Sequence, residues 1–187
     1  MNSLESRYWS YRFVFVPETI GAISYCFQNQ GKMKDILMGF VMTTVGGPGE
    51  FSYKQSWQQD HVINKIIEKV FLEEDKKLKI YPFDIHGSDE RQYSSPGFRI
   101  NMCSLFKDRY YDYPFYHSSL DNLEFVNGNQ IYETFELYKK IIQKIENLIY
   151  FKSQKMFCEP MLSKYDLYPK IGGSLLPDKK INLDMDN

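Results

Sequence analysis

The sequence is poor in the residues that staple a chain or thread it through a membrane. Its three cysteines, Cys26, Cys103 and Cys158, are widely spaced, odd in number and without a CxxC pair. That pattern argues against a disulfide framework and a zinc knuckle, and it fits a reducing, cytoplasmic location. No run approaches the roughly 18 apolar residues of a membrane span. The amino terminus, MNSLESRYWSYRF, carries no long apolar stretch behind a basic one, so no signal peptide is expected. Charge of either sign is not in excess: 23 Lys and Arg against 24 Asp and Glu leave a formal net charge of -1, without the basic footprint of a nucleic-acid binder. Internal repeats and low-complexity segments are missing as well.

Aromatic side chains are abundant, at 17% of the chain with 15 Tyr and 14 Phe. Many fall in DRYYDYPFYH, residues 108–117. Tyrosines there either line a cleft with apolar faces and polar tips or pack as a surface loop on the core. With 187 residues, 43% hydrophobic and 25% charged, a single soluble domain with its own core is expected.

Along the chain, Arg12 to Val16 has the bulky and β-branched residues of a buried strand, stopped by Pro17. A helix should start at Glu18 or Thr19 and run to about Asn29, with Gly31 as its stop. Asp35 to Val45 is a continuous apolar run of the kind found in a strand covered on both faces, and strand, helix, strand implies a right-handed crossover. GGPGEFSY reads as a loop, the charged run FLEEDKKLKI as a solvated helix end and turn. Val62, Ile66, Ile67, Val70 and Phe71 repeat at helical spacing. A short strand at Lys79 to Phe83 and another around Arg99 to Leu105 follow. Ile131, Phe135, Tyr138, Ile142, Ile145 and Ile149 mark an amphipathic helix over Asn129 to about Phe151. The proline- and glycine-punctuated remainder is expected to fray at its end.

Three polar segments stand out against this pattern. Glu18 follows the first strand, HGSDERQYSSPGF (His86 to Phe98) is a loop that positions polar side chains, and YHSSLDN (Tyr116 to Asn122) holds His117. Imidazole is the commonest metal ligand, although an isolated histidine is also an ordinary surface residue. Polar groups gathered at strand ends are how an open α/β sheet builds an active site. His61 reads as a surface residue of the charged helix, and His86 lies near Asp89 in sequence.

FVFVPETIGAI, GSDERQYSSPGF, YPFYHSSLDNLEFV and CEPMLSKYDLYPKIGG, in this order, resemble the zinc aminopeptidase-like fold, and more closely its branch in bacterial polysaccharide-biosynthesis proteins. The resemblance covers nearly the whole chain. It implies an α/β fold, a partial three-layer α/β/α sandwich of the zinc-exopeptidase type with a mostly parallel sheet. The chain is then a single partial domain over 1–187, with a core at about 12–151 and an extension over 152–187.

The resemblance also implies roles. A glutamate pair in the family supplies the general base and a zinc ligand; here Glu18 matches the base and Thr19 stands at the ligand, so Glu18 is a metal-site residue or the base. Thr43 stands where a further acid is expected. Asp89 matches an aspartate that hydrogen-bonds near the substrate. Arg91 and Tyr93 are candidate donors to a carbonyl or oxyanion, with a salt bridge inside the loop as the plainer role for Arg91. His117 matches the last metal ligand, and Asp121 with Asn122 would cap a helix after it. The cofactor implied is one zinc ion in the complete domain. Ligand is expected to be a peptide or another amide-containing small molecule, with no nucleic acid and no membrane span. The family's first ligands, a histidine and a bridging aspartate, precede the strand that starts at Arg12, and the eleven residues before it contain no histidine. The expectation is therefore the C-terminal portion of a zinc-dependent hydrolase domain, inactive alone and suited to a complementing amino-terminal segment or to self-association. The alternative is a non-catalytic pseudo-enzyme or assembly domain in surface-polysaccharide synthesis.

Overall fold

The computed structural model describes residues 7–110 and 112–149, with Phe157, Cys158, Met161 and Lys164. The chain divides into two units, Met1–Leu148 and Ile149–Asn187, and the sheet with its packed helices belongs to the first. The CEPMLSKYDLYPKIGG motif and the tail expected to fray lie, those few residues apart, outside the described residues.

Four strands form a sheet: β1 (Met38–Met42), β2 (Ser52–Lys54), β3 (Lys79–Tyr81) and β4 (Asn101–Phe106), in the order β1-β4-β2-β3. The pairs β1 with β4 and β2 with β3 are parallel, while β2 and β4 run antiparallel with Lys54 opposite Ser104. The sheet is thus mostly parallel, as the motifs imply. β4 is buried along its whole length, as befits a strand covered on both faces. Cys103 and Leu105 join one cluster, with α3 (Val62–Glu73) and α5 (Gly128–Glu146). Met102 joins another, with Ala22 and Cys26 of α1 (Ile20–Gln28), Met33 of α2 (Gln30–Met33) and Tyr93 of α4 (Glu90–Tyr93). Helices on both faces of the sheet make three layers.

Sequence and structure agree best for the long helices. α3 buries Ile63, Ile66, Ile67, Val70 and Phe71, and its N-cap is His61, whose Nδ1 accepts the Ile63 N–H at 3.3 Å; His61 has this local duty rather than a place on the helix surface. α5 is capped by Asn127, which accepts the Gln130 N–H at 3.1 Å. Its buried stripe is Thr134, Leu137, Tyr138, Ile141 and Ile145, while Ile131 and Phe135 are exposed. The expected stripe was out of phase at those positions because Thr134, a polar residue, takes the inward place and donates to the Val45 carbonyl at 2.9 Å.

Other expectations are corrected. Residues 12–16 are not a strand, and Phe13 and Phe15 are exposed at 63% and 93%; a strand exists only where a neighbour accepts its hydrogen bonds. The crossover anchored on that strand does not form. Gly31 lies inside α2, and α1 ends at Asn29, whose N–H and side chain both bond the Tyr25 carbonyl. β1 is a half-buried edge strand rather than one covered on both faces. The end of the GGPGEFSY loop continues into β2, whose three residues are all buried. No helix starts at Asp121 or Asn122; the Asn122 side chain accepts the Glu124 N–H at 2.9 Å in a turn.

Candidate functional site

β1 and β4 run parallel, so their carboxyl ends lie at the same edge of the sheet, the place where open α/β sheets bind ligands. Thr43 and Thr44 follow β1 there, and the Thr44 carbonyl accepts the Lys107 N–H at 3.1 Å just after β4. A cleft of about 230 Å³ opens at this edge. Glu18 and His117, the two residues expected at the metal, both line it, as does Thr43. Ser88 and Gly87 form another side, and Tyr110, Tyr113, Tyr116 and Asp121 complete the wall. The tyrosine-rich segment is therefore a cleft wall rather than a plain surface loop.

Glu18 is held by Ser88, whose hydroxyl donates to Glu18 Oε1 at 2.8 Å. One residue on, Asp89 Oδ1 accepts the Thr19 N–H at 2.7 Å. Adjacent residues of one loop thus fix both members of the Glu18-Thr19 step. Burial holds the Asp89 carboxyl above the usual range; the Thr19 N–H opposes this, and the neighbouring Glu18 and Glu90 charges add to it. Asp89 acts here on the backbone of residue 19 and is not among the cleft-lining residues.

Arg91 and Tyr93 are carried away from the cleft by α4. Arg91 donates to the Ile85 carbonyl at 3.4 Å, and its Nε is buried without a partner among the described residues. Tyr93 is 8% exposed and packs in the cluster with Ala22, Cys26 and Met33. Burial pushes its hydroxyl up to about 12. In four helical residues, side chains at 91 and 93 leave in different directions from the backbone at 88 and 89, so the loop motif does not deliver all its polar groups to one place. His86 contributes its backbone: its carbonyl accepts from Lys54 and from the Tyr110 hydroxyl.

Sequence reasoning missed the support under the loop. Lys54 on β2 is 3% exposed and Glu90 1%. Lys54 Nζ lies 2.8 Å from Asp84 Oδ1 and 3.0 Å from Glu90 Oε1, and the Ser104 hydroxyl donates to Glu90 Oε2 at 2.8 Å. Burial alone would lower the Lys54 pKa, but its bonds to Asp84 and Glu90 prevail and raise it. This network anchors both ends of the segment that carries Gly87, Ser88 and Asp89. Strain is gathered here too: Thr19, Thr44 and His117 have φ of +60°, +42° and +55°, conformations that non-glycine residues adopt at a cost and that collect at functional sites.

A catalytic zinc takes three protein donors and keeps one open position. Among the described residues no group of three His, Cys, Asp or Glu side chains converges to hold a metal ion. Glu18, Asp121 and His117 all line the cleft without converging on one point; one oxygen of Glu18 takes the Ser88 hydroxyl and one of Asp121 the Tyr113 hydroxyl at 3.0 Å. The donor set does not fit zinc. Nor, among the described residues, is any helix long and apolar enough to cross a membrane.

Comparison with known proteins accounts for the architecture. Over 173 residues the chain is 39% identical to a Clostridium acetobutylicum protein named as a polysaccharide biosynthesis protein with an aminopeptidase-like domain, a match covering 92% of this chain and 39% of that protein. The chain therefore spans well under half of that relative. A crystal structure of a Clostridium acetobutylicum protein described as a peptidase is similar at a TM-score of 0.74 and 39% identity, over 84% of this chain and 37% of the other. A zinc aminopeptidase from Bacillus subtilis shares the fold, with a TM-score of 0.55 at 15% identity over 67% of this chain and 32% of the other. The layered α/β sheet with its edge cleft is thus an aminopeptidase-like fold. A family model described as a domain of unknown function, DUF4910, matches residues 1–148, and the chain belongs to that family.

Proposed function

We propose that this chain forms one wall of an aminopeptidase-like cleft, in a protein of surface-polysaccharide biosynthesis, that receives a peptide or another amide-containing small molecule. By itself it neither retains zinc nor hydrolyses an amide. One observation carries the reading: Glu18 and His117, 99 positions apart, line one cleft at the carboxyl ends of β1 and β4, yet among the described residues no three donors converge there to hold a metal. The name of the 39%-identical relative supports the setting.

The chemistry of this wall is recognition. Ser88 orients the Glu18 carboxylate as an acceptor, ready for an amide or amine N–H, and hydroxyls along the wall can donate to a carbonyl. Zinc in the wider fold would supply a Lewis acid; this wall offers hydrogen-bond donors and acceptors instead. The test is elemental analysis of the purified chain together with an assay on an aminoacyl nitroanilide. Less than one-tenth of an equivalent of zinc (~0.1, weak binding lost on purification) and no amine release are expected. Stoichiometric zinc with hydrolysis would overturn the reading.

A non-catalytic binding domain is the second reading, favoured by Thr43 in the cleft where the resemblance expects an acid. Thr43→Asp separates the two. A hydrolase wall that keeps the geometry of the metal site gains zinc affinity from the added carboxylate beside Glu18 and His117; a dedicated binding cleft does not.

A further inference from the structure

We infer that the ligand of this cleft is a neutral acylated amino sugar rather than a peptide or a phosphorylated compound. The inference rests on the amide-binding reading above and narrows its ligand class. Three tyrosines supply the wall, with ring centroids 6.0 Å apart for Tyr110 and Tyr116 and 5.8 Å apart for Tyr113 and Tyr116. These rings are already ordered: Tyr113 stacks on Phe125 with planes 4° apart, and Tyr116 stacks on His117 at 4.0 Å. Ordered tyrosines offer amphipathic contact at little entropic cost. A pyranose has the complementary surface, with C–H faces and a hydroxyl rim.

The polar groups match the same shape. Glu18 and Asp121 present carboxylate oxygens, and Thr44 Oγ1 is buried without a hydrogen-bond partner among the described residues. Sugar hydroxyls are donors that such acceptors satisfy. Among the described residues the lining holds no leucine, isoleucine, valine or methionine, so an apolar peptide side chain finds no slot of its kind. Among the described residues neither lysine nor arginine lines it. Lys54, which a Cβ on Gly87 would meet at 2.6 Å, is spent on Asp84 and Glu90. A phosphate would therefore face two carboxylates with only the His117 imidazole to offset them, an arrangement that selects against anions. The volume of about 230 Å³ suits one sugar ring.

The test is a titration of the full chain, followed by NMR, with N-acetylglucosamine, the neutral dipeptide N-acetylalanylalanine amide and N-acetylglucosamine 1-phosphate. Expected is binding of the neutral sugar about ten-fold tighter than of either other ligand, with shifts at cleft residues. Tyr116→Ala should weaken sugar binding about ten-fold and Tyr116→Phe much less, consistent with the worth of an aromatic contact. Should Tyr116→Ala unfold, Thr44→Val tests the orphan hydroxyl at nearly constant volume and should weaken the sugar several-fold. A dipeptide amide that binds more tightly than the sugar, or a phosphorylated sugar that binds equally well, overturns the inference and leaves the amide-binding reading standing. Binding of none of the three overturns both.

Discussion

Gly87 is the residue on which the loop turns. Its φ is +136°, and a Cβ there would lie 2.5 Å from Glu90 Oε1 and 2.6 Å from both Lys54 Nζ and the Tyr110 hydroxyl. An alanine must therefore strain the backbone and push apart a buried ion pair at once. Gly87→Ala is expected to cost about 2 kcal/mol or more, seen as a lower urea midpoint with an unchanged m-value. Glu90→Gln leaves the Lys54 ammonium buried with only half-exposed Asp84 opposite, and about 3 kcal/mol is expected from breaking such a pair. Adding Lys54→Met to that variant should recover part of the loss, and a double-mutant cycle by urea denaturation reads the coupling. Glycine, serine and aspartate in GSDERQ are legible as loop chemistry. That Lys54 is the loop's anchor is not, because a lysine in a sequence ordinarily points to solvent and only its burial on β2 beside α4 makes it structural.

At the scale of elements, legibility followed the strength of the apolar period. α3 repeats its aliphatics without interruption and is read correctly. In α5, Ile131, Phe135 and Thr134 compete for the same face, and the sheet-side carbonyl of Val45 decides for Thr134. The assignment is testable: Ile141→Ala should cost about 2–5 kcal/mol as a core truncation, whereas Phe135→Ala, at a 54% exposed position, should change stability by about 0.5 kcal/mol or less. α5 also carries Glu133, which meets Lys107 at 2.7 Å and Lys76 at 2.6 Å. The hydrogen bond from Lys107, and then that from Lys76, hold its carboxyl below the usual range. A depressed folded-state pKa gives stability that is complete above the ordinary glutamate value and is lost as pH falls through the depressed one. Glu133→Gln should thus destabilise at neutral pH and converge on wild type in acid, by about 1 kcal/mol once solvent screening is allowed for, as measured by urea midpoints between about pH 3 and 7. β2 is illegible in the sequence for a different reason: Ser52, Tyr53 and Lys54 are buried by a sheet neighbour on each side, and three residues are too few to show alternation.

For the whole molecule, the sheet is the feature that sequence conveyed in outline and misplaced at its edge. The segment 12–16 has strand composition, and composition cannot say whether a partner strand is present. β1 lies at the edge of the sheet with β4 beside it; Phe13 and Phe15 before α1, and Ile20 and Phe27 within it, are more than 60% exposed. An open strand edge is a template for pairing with another chain, and exposed aromatic and aliphatic side chains add to that tendency. The occupant expected for the purified protein is a second copy of itself. Light scattering behind size exclusion should show a weight-average mass that rises with loading concentration, and Phe15→Lys, which places a charge on a 93% exposed position, should return it towards the monomer without moving the urea midpoint. A wild-type chain that stays monomeric from about 1 to 100 μM, the range in which exposed edges ordinarily associate, would overturn the expectation.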